Sequence, residues 1–301
     1  MALVHPPGLT RFRTHDLPGA RRLTGWEEHN ARALVGLRVT ADRPFDGTEV
    51  NLTLPKLQVA RVTGSPHAVD RDVRQIAEHP ADGVVVYFSL AGESRFEHRG
   101  GSDLVVPGQA LVLDADRPFR REFSAGLTEL VLKAPRRGPL TPQLFSFRDN
   151  AHASALVTAL TGALRGPADW EGLESTAADL LDSVLGARTP SADLAAAHAF
   201  IAAHLHEPEL CAHRIAAAIG YSDRHLSRLF ARSGQSVPQA ILNARLDAAR
   251  LKLAEPISLA EVAARTGFVS QAHFSRTYRA RFGVTPRQDR AALKFLPVSA
   301  T

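Results

Sequence analysis

ISLAEVAARTGFVSQAHFSRTYRARFGVTPRQDR, residues 257–290, spells a helix, a tight turn and a second helix. Ser258 is placed to cap the first helix, because a serine hydroxyl accepts a bond from a backbone N–H left unpaired at a helix start. Leu259, Val262 and Ala263 then recur at i, i+3 and i+4, the spacing of one helix face. Gly267 stops that helix, since glycine tolerates the left-handed conformation of a C-terminal stop. Phe268 plugs the corner. Ser270 opens the second helix, where Phe274, Tyr278 and Phe282 fall four residues apart toward a core. Gln271, Ala272, Ser275, Arg276 and Arg279 are left on its outer faces. A short helix, a glycine turn and a second helix with an arginine-bearing polar face make the helix-turn-helix pattern.

A weaker copy lies upstream in residues 210–234, LCAHRIAAAIGYSDRHLSRLFARSG. Ile215, Ala216 and Ile219 form the inner face of its first helix, and Gly220 and Tyr221 form the corner. Ser222 caps its second helix, with Leu226, Leu229 and Phe230 inside and Arg224, His225, Ser227 and Arg228 outside. The two caps stand 48 residues apart. Between them a helix is expected from Pro238, a good first-turn residue, toward Pro256. Its sixteen residues QAILNARLDAARLKLA span roughly 24 Å. Two such second helices on a stiff rod can enter successive major grooves, about 34 Å apart.

GFVSQAHFSRTYRARFGVTPRQDR resembles the C-terminal signature of AraC/XylS-type transcription regulators. RIAAAIGYSDRHLSRLF and ARLDAARLKLA resemble that family's first helix-turn-helix and connecting helix. The resemblance runs from Ala192 to about Lys294. It departs at Val269 and Ser270, where the family often has Ser-Asp, and at Ala272, where a larger polar residue is common. Those departures bear on which DNA sequence is read. The resemblance implies that Arg224, Ser227 and Arg228 of the first reader, and Gln271, Ala272, His273, Ser275 and Arg276 of the second, face the groove. Their chemistry agrees: Arg bridges guanine O6 and N7, Gln bridges adenine N6 and N7, and Ala touches a thymine methyl. A phosphate contact is the competing role for each arginine. Asp223 suits the positive end of the helix dipole better than DNA. The implied partners are duplex promoter DNA and RNA polymerase, with activation the family's usual mode.

Charge agrees with that division. Residues 192–301 hold 14 Lys or Arg against 8 Asp or Glu, a balance of +6, while residues 1–191 hold 22 against 23, or −1. A basic excess confined to the C-terminal third is the footprint of a duplex-binding module beside a neutral sensor. No apolar run reaches the eighteen or so residues of a membrane helix. The first residues lack the apolar core of a secretion signal, so a cytoplasmic location is expected. The single cysteine, Cys211, excludes an intrachain disulfide and a multi-cysteine zinc site, and it is expected to be a buried thiol on the first helix of the upstream motif. It also argues against the multi-cysteine alkyl-transfer repair proteins that share this DNA-binding module.

The region before this module reads differently. A helix is expected over 23–34 with Trp26, then strands over 33–40 and 57–63, an irregular charged stretch over 69–78, and short strands over 84–90, 94–98, 104–106, 110–113, 120–123 and 127–132. Gly92, Gly100-Gly101, Pro107-Gly108 and Gly126 separate the later ones as turns. This pattern implies a barrel or jelly roll, and residues 87–123 resemble, more loosely, the cupin-like effector domain found upstream of such DNA-binding modules. A cupin metal site needs two or three histidines and a glutamate converging on one cation. Here Glu97-His98 has no histidine partner before His152, so no metal or other cofactor is expected. No nucleophile elbow or phosphate-binding glycine loop stands out. The alternative, a cupin-type enzyme or ligand carrier whose C-terminal helices serve assembly, is disfavoured, and the chain is read as not an enzyme. A small barrel can enclose one ligand, with Tyr87, Arg95 and His98 as polar candidates for an unidentified effector.

Two further helices follow. Leu156, Leu160 and Leu164 mark one; Leu173, Ala177, Leu180, Leu181, Val184 and Leu185 mark a broad stripe on the other, with Gly166-Pro167 as the bend. That hairpin either caps its own barrel or, as resembling helices do in the family, joins two chains into a homodimer. The expected fold is therefore α+β: a cupin-like sensor over 1–150, a helical hairpin and linker over 151–190, with the linker at 187–191, and an all-α module with two helix-turn-helix motifs over 191–301.

Overall fold

Strands dominate one unit of the chain, Met1–Ala187, and helices make up the other, Arg188–Thr301. The computed structural model describes residues 8–136, 138, 140–166 and 169–293. In the first unit the elements run β1 (Gly8–Arg13), α1 (Arg22–Ala33), β2 (Arg38–Thr40), β3 (Gly47–Thr53), β4 (Gln58–Gly64), β5 (His67–Arg71) and α2 (Val73–Glu78). They continue with β6 (Gly83–Ala91), β7 (Ser94–His98), β8 (Gly101–Val105), β9 (Gln109–Asp114), β10 (Phe119–Phe123), β11 (Leu127–Pro135) and β12 (Gln143–Ser146). Helices α3 (Ala151–Ala163) and α4 (Trp170–Val184) close the unit.

The strands pair antiparallel in two sheets, ordered β1-β3-β4-β11-β6-β9-β12 and β2-β5-β10-β7-β8. Val85, Tyr87, Leu111, Leu113 and Val131 of the larger sheet pack with Val69, Phe96, Phe119 and Phe123 of the smaller one, so the core lies between them. No ladder among the described residues joins the two sheets into a closed barrel. The larger sheet is buried on its other face too: Val84, Val86, Phe88, Val112, Leu130 and Leu132 are all sequestered. Leu156 and Leu160 of α3 and Ala177, Leu180 and Leu181 of α4 are buried in the single chain. Glu174 Oε1 accepts the N–H groups of Lys56 (2.6 Å) and Leu57 (3.0 Å), tying α4 to the turn between β3 and β4. The hairpin is thus bonded to the β3–β4 turn within its own chain. Its bend lies partly outside the described residues, at Pro167.

Several local expectations are corrected. The stretch over 69–78 is not irregular: it completes β5 and then forms α2, whose N-cap Asp72 accepts from the N–H groups of Arg74 (2.9 Å) and Gln75 (2.8 Å). The strand expected over 33–40 shrinks to β2, because α1 holds the chain as far as Ala33. β1, β3 and β12 were not anticipated; β1 and β12 are edge strands of the larger sheet.

The second unit is helical: α5 (Pro190–His204), α6 (Ala212–Ala218), α7 (Asp223–Arg232), α8 (Val237–Lys252), α9 (Leu259–Arg265), α10 (Gln271–Phe282) and α11 (Pro286–Leu293). α5 starts inside the stretch read as a linker, with Thr189 as its cap. α8 starts one residue before Pro238, capped by Ser236. Cys211 is exposed and occupies the N-cap position of α6, which corrects the expectation of a buried thiol. Among the described residues no helix is long and apolar enough to cross a membrane.

The two corners share one backbone pattern. Tyr221 N–H reaches Ala216 O (2.8 Å) and Gly220 N–H reaches Ala217 O (3.1 Å); Phe268 N–H reaches Ala263 O (2.9 Å) and Gly267 N–H reaches Ala264 O (3.1 Å). This is the Schellman stop, with glycine left-handed at φ 73° and 78°. The corners differ in what fills them. Phe268 is buried against Phe274, whereas half-buried Tyr221 stacks on His225 and donates to Asp193 Oδ2 (2.7 Å).

Gly267 and Gly283 are both left-handed, but only the first is crowded. A Cβ on Gly267 would lie 2.1 Å from Leu205 O, while one on Gly283 would meet nothing within 4 Å. Gly283→Ala is therefore expected to cost about 1–2 kcal/mol of left-handed strain, and Gly267→Ala distinctly more. Hydrogen exchange of the α9 and α10 amides measures both; equal losses of protection would contradict the crowding.

Candidate nucleic-acid interface

Serine caps orient both outward-facing helices. Ser222 Oγ accepts from His225 N (3.3 Å) at the start of α7, and Ser270 Oγ accepts from His273 N (3.2 Å) at the start of α10. Leu226, Leu229 and Phe230 anchor α7, and Phe274 and Tyr278 anchor α10, all buried. Tyr278 also donates to Asp289 Oδ2 (2.6 Å), and burial together with that bond raises its hydroxyl pKa. Once these side chains turn inward, helical geometry sends the intervening ones out.

Each expected reading residue occupies that outward side. Arg224, Ser227 and Arg228 are exposed on α7; Gln271, Ala272, His273 and Arg276 are exposed on α10, with Ser275 half-buried between them. Ser227 Oγ donates to Asp223 O (2.8 Å), so its hydroxyl is left to act as an acceptor. Asp223 itself faces His213 Nδ1 at 3.2 Å.

The arginines of this unit sort into two groups. Arg214, Arg250, Arg265 and Arg281 pair with carboxylates at 2.5–3.2 Å, and Arg245 and Arg290 donate to backbone carbonyls. Arg224, Arg228 and Arg276 have no such partner among the described residues. Arg232, Arg279 and Arg287 are equally exposed and equally unpaired, yet the sequence reading did not select them for the site. The missing signal was pairing: only the fold shows which cations are already neutralised. The arrangement offers anion-binding guanidinium groups around two protruding helices, each with donors and acceptors suited to base edges.

The three effector candidates of the first unit are not brought together. Tyr87 lines a cavity of about 40 Å³ between the sheets, with Trp26, Asn30, His67, Arg121 and Glu129. His98 lines an open groove of about 1030 Å³ at a different place, with Phe96, Arg99, Leu113 and Phe119. Arg95 is exposed on the outer face of the smaller sheet, 3.2 Å from Glu97.

Sequence reading missed the polar heart of the inner cavity. Arg121 is fully buried, holds both carboxylate oxygens of Glu129 and Ser94 Oγ (3.0 Å), and lies 4.4 Å from the Tyr87 ring and 4.8 Å from the Phe123 ring. Burial pushes the Tyr87 hydroxyl up to about 12 and lowers the His67 imidazole. Nearby on β3, burial pushes the Glu49 carboxyl up to about 8, and Asn51 offsets this only in part. Among the described residues no cluster of three or more metal-ligating side chains occurs.

Known proteins resemble both units. The AraC-binding-like domain family matches residues 26–219, and a helix-turn-helix domain family matches residues 215–292. The chain is 27% identical to the transcriptional activator NphR of Rhodococcus sp over 93% of its own length and 92% of that protein. It is 40% identical to the HTH-type transcriptional regulator CdhR of Pseudomonas aeruginosa over 32% of its own length and 29% of that one. The solved structure of the AraC-like transcriptional activator CuxR is similar at 19% identity and a TM-score of 0.45, over 82% of this chain and 96% of that chain.

Arg228 and Arg276 hold equivalent places, each six residues after its cap. Truncation to Ala at a base-reading position is expected to cost about 1–3 kcal/mol on the selected site and to relax preference at one base pair. A phosphate contact would instead weaken all sequences alike and reduce the salt slope by about one. We expect at least one of the two to read a base, with Arg265→Ala, whose guanidinium is already paired, leaving selection unchanged. Binding-site selection on the three variants decides it; unaltered preferences in both reader variants would place the reading elsewhere.

Proposed function

This chain belongs to the AraC family, joining an AraC-binding-like domain to an AraC-type helix-turn-helix domain, and we propose that it activates promoters in response to a small molecule. It is a DNA-binding transcription regulator. The observation that carries the reading is the pair of capped, outward-facing helices α7 and α10, which carry five exposed arginines without internal partners among the described residues, with a sixth, Arg287, on α11. Arg224, Ser227, Arg228, Gln271, Ala272, His273, Ser275 and Arg276 are the proposed base-facing set. Arg232, Arg279 and Arg287 are added as phosphate contacts, which supply affinity rather than sequence information.

Activation, rather than repression, is supported by similarity along nearly the whole chain to a protein described as a transcriptional activator. It implies a contact with RNA polymerase in the cytoplasm. For the effector, size favours the groove that His98 lines: small-molecule pockets run to about 300–1,000 Å³, whereas the cavity at Tyr87 has room for little more than a water molecule. Its aromatic floor, Phe96 and Phe119, and its rim residue Arg99 suit a compact, partly apolar ligand. Effector control requires two states that bind the ligand differently. A homodimer through the α3–α4 hairpin is supported by Leu164, Leu173, Val184 and Leu185, which stay only half-buried after the hairpin has packed.

The full chain is expected to bind the DNA upstream of its target genes with log K falling against log salt by about 0.9 per neutralised phosphate. The three arginines assigned to phosphates give a slope of about −2.7 per bound copy. Fluorescence anisotropy across a salt series measures it. A slope near zero, or no preference for that DNA over unrelated duplex, would overturn the reading.

A further inference from the structure

The two helix-turn-helix corners share a backbone stop but differ in length. From Gly220 to the cap Ser222 is two residues; from Gly267 to the cap Ser270 is three. The additional residue is Val269, which is 82% exposed.

That exposure runs against the usual packing of a helix entry. An apolar residue just before the cap ordinarily folds onto the fourth helical residue as a hydrophobic staple. For α10 that fourth residue is Phe274, which is fully buried and already covered by Phe268, ring to ring at 5.2 Å. Phe268 thereby takes the inner place, Ser270 takes the cap, and the residue between them is turned outward. α7 has no counterpart, since Tyr221, just before its cap, is half-buried and stacks on His225 at 3.9 Å.

We propose that Val269 is a base-reading residue whose side chain meets a thymine methyl group in the major groove. This rests on the reading of α10 as a DNA-reading helix. The N-terminal residues of such a helix are the ones that reach base edges, and Val269 stands one residue before the cap. Ala272, three residues on, is also exposed, so the leading end of α10 presents two apolar side chains beside Gln271. The only apolar group that a base pair displays in the major groove is the thymine C5 methyl. Single exposed apolar residues are ordinary on protein surfaces; it is the position at the tip of a reading helix that gives this one a ligand.

The test uses full-length protein in three forms: wild type, Val269→Ala and Val269→Ser. Binding-site selection is expected to return the same consensus for all three except at one position, where only the wild type demands thymine. Replacing that thymine by uracil, which lacks the methyl, should weaken the wild type about fourfold, the ~0.8 kcal/mol of one buried methyl group. The same replacement should leave Val269→Ser almost unaffected. Thermal melting of both variants should match the wild type, because the side chain is solvent-exposed. If Val269→Ser keeps the thymine preference, or the wild type tolerates uracil, the assignment is overturned while α10 remains a reader. Unchanged selection with lost activation in a reconstituted transcription assay overturns it in favour of a protein contact. If the wild type selects no sequence at all, the reading of α10 fails and this proposal falls with it.

Discussion

A backbone carbonyl presses against a glycine at the corner of the second helix-turn-helix, and the placement of both reading helices depends on that contact. Leu205 O approaches Gly267 so closely that a Cβ would lie 2.1 Å from it, and Gly267 is left-handed as well. The same carbonyl accepts from Arg245 Nε (2.9 Å), while Arg245 Nη2 donates to Glu207 O (2.6 Å). Arg245 belongs to α8, Leu205 ends α5, and Gly267 ends α9. One arginine and one glycine therefore lock the connecting helix to the segment before the first motif and to the turn of the second. Desolvation is the cost: burial lowers the Arg245 pKa. Losing the guanidinium would leave Leu205 O without a donor among the described residues, while Glu207 O would keep the Leu210 N–H.

Charge is divided between architecture and surface by the same logic. In the first unit, buried Arg71 donates to Ala115 O (2.5 Å), Gly36 O (2.6 Å) and His79 O (2.9 Å), and Arg121 is held by Glu129 and Ser94. In the second, paired arginines brace helices, and unpaired ones cluster on and near α7 and α10. A pair already made inside the protein weakens what a guanidinium can offer a phosphate. The unpaired set is thus the part of the basic excess that no internal carboxylate neutralises among the described residues.

The helix-turn-helix region was legible because its signals are local. Ser258, Ser222 and Ser270 each cap the helix they precede, and Gly220 and Gly267 each adopt the left-handed stop. The four-residue stripe from Phe274 to Phe282 points inward as its spacing requires. The first unit was less legible because sheets are assembled from distant partners. β1 pairs with β3 through residues such as Phe12 and Glu49, and nothing in GLTRFR alone announces a strand. Asp72 was a readable cap, but the charged composition of the following residues masked the short helix. The site residues on α7 and α10 were those that the family resemblance implied, and helical phase agreed for most of them. The phase of a strand placed Tyr87 inside, yet only the fold shows that His98 opens onto a different space and that Arg95 faces outward.

The central claim is that α7 and α10 of one chain read the same DNA duplex from the same side. Methylation interference at guanine N7, a major-groove atom, tests it directly with full-length protein on a selected site. The account predicts two protected or interfering patches on one face of the duplex, about one helical turn, 10–10.5 base pairs, apart, with the patch assigned to α7 lost in an Arg228→Ala variant or that assigned to α10 lost in an Arg276→Ala variant. A single patch that survives both substitutions would contradict it.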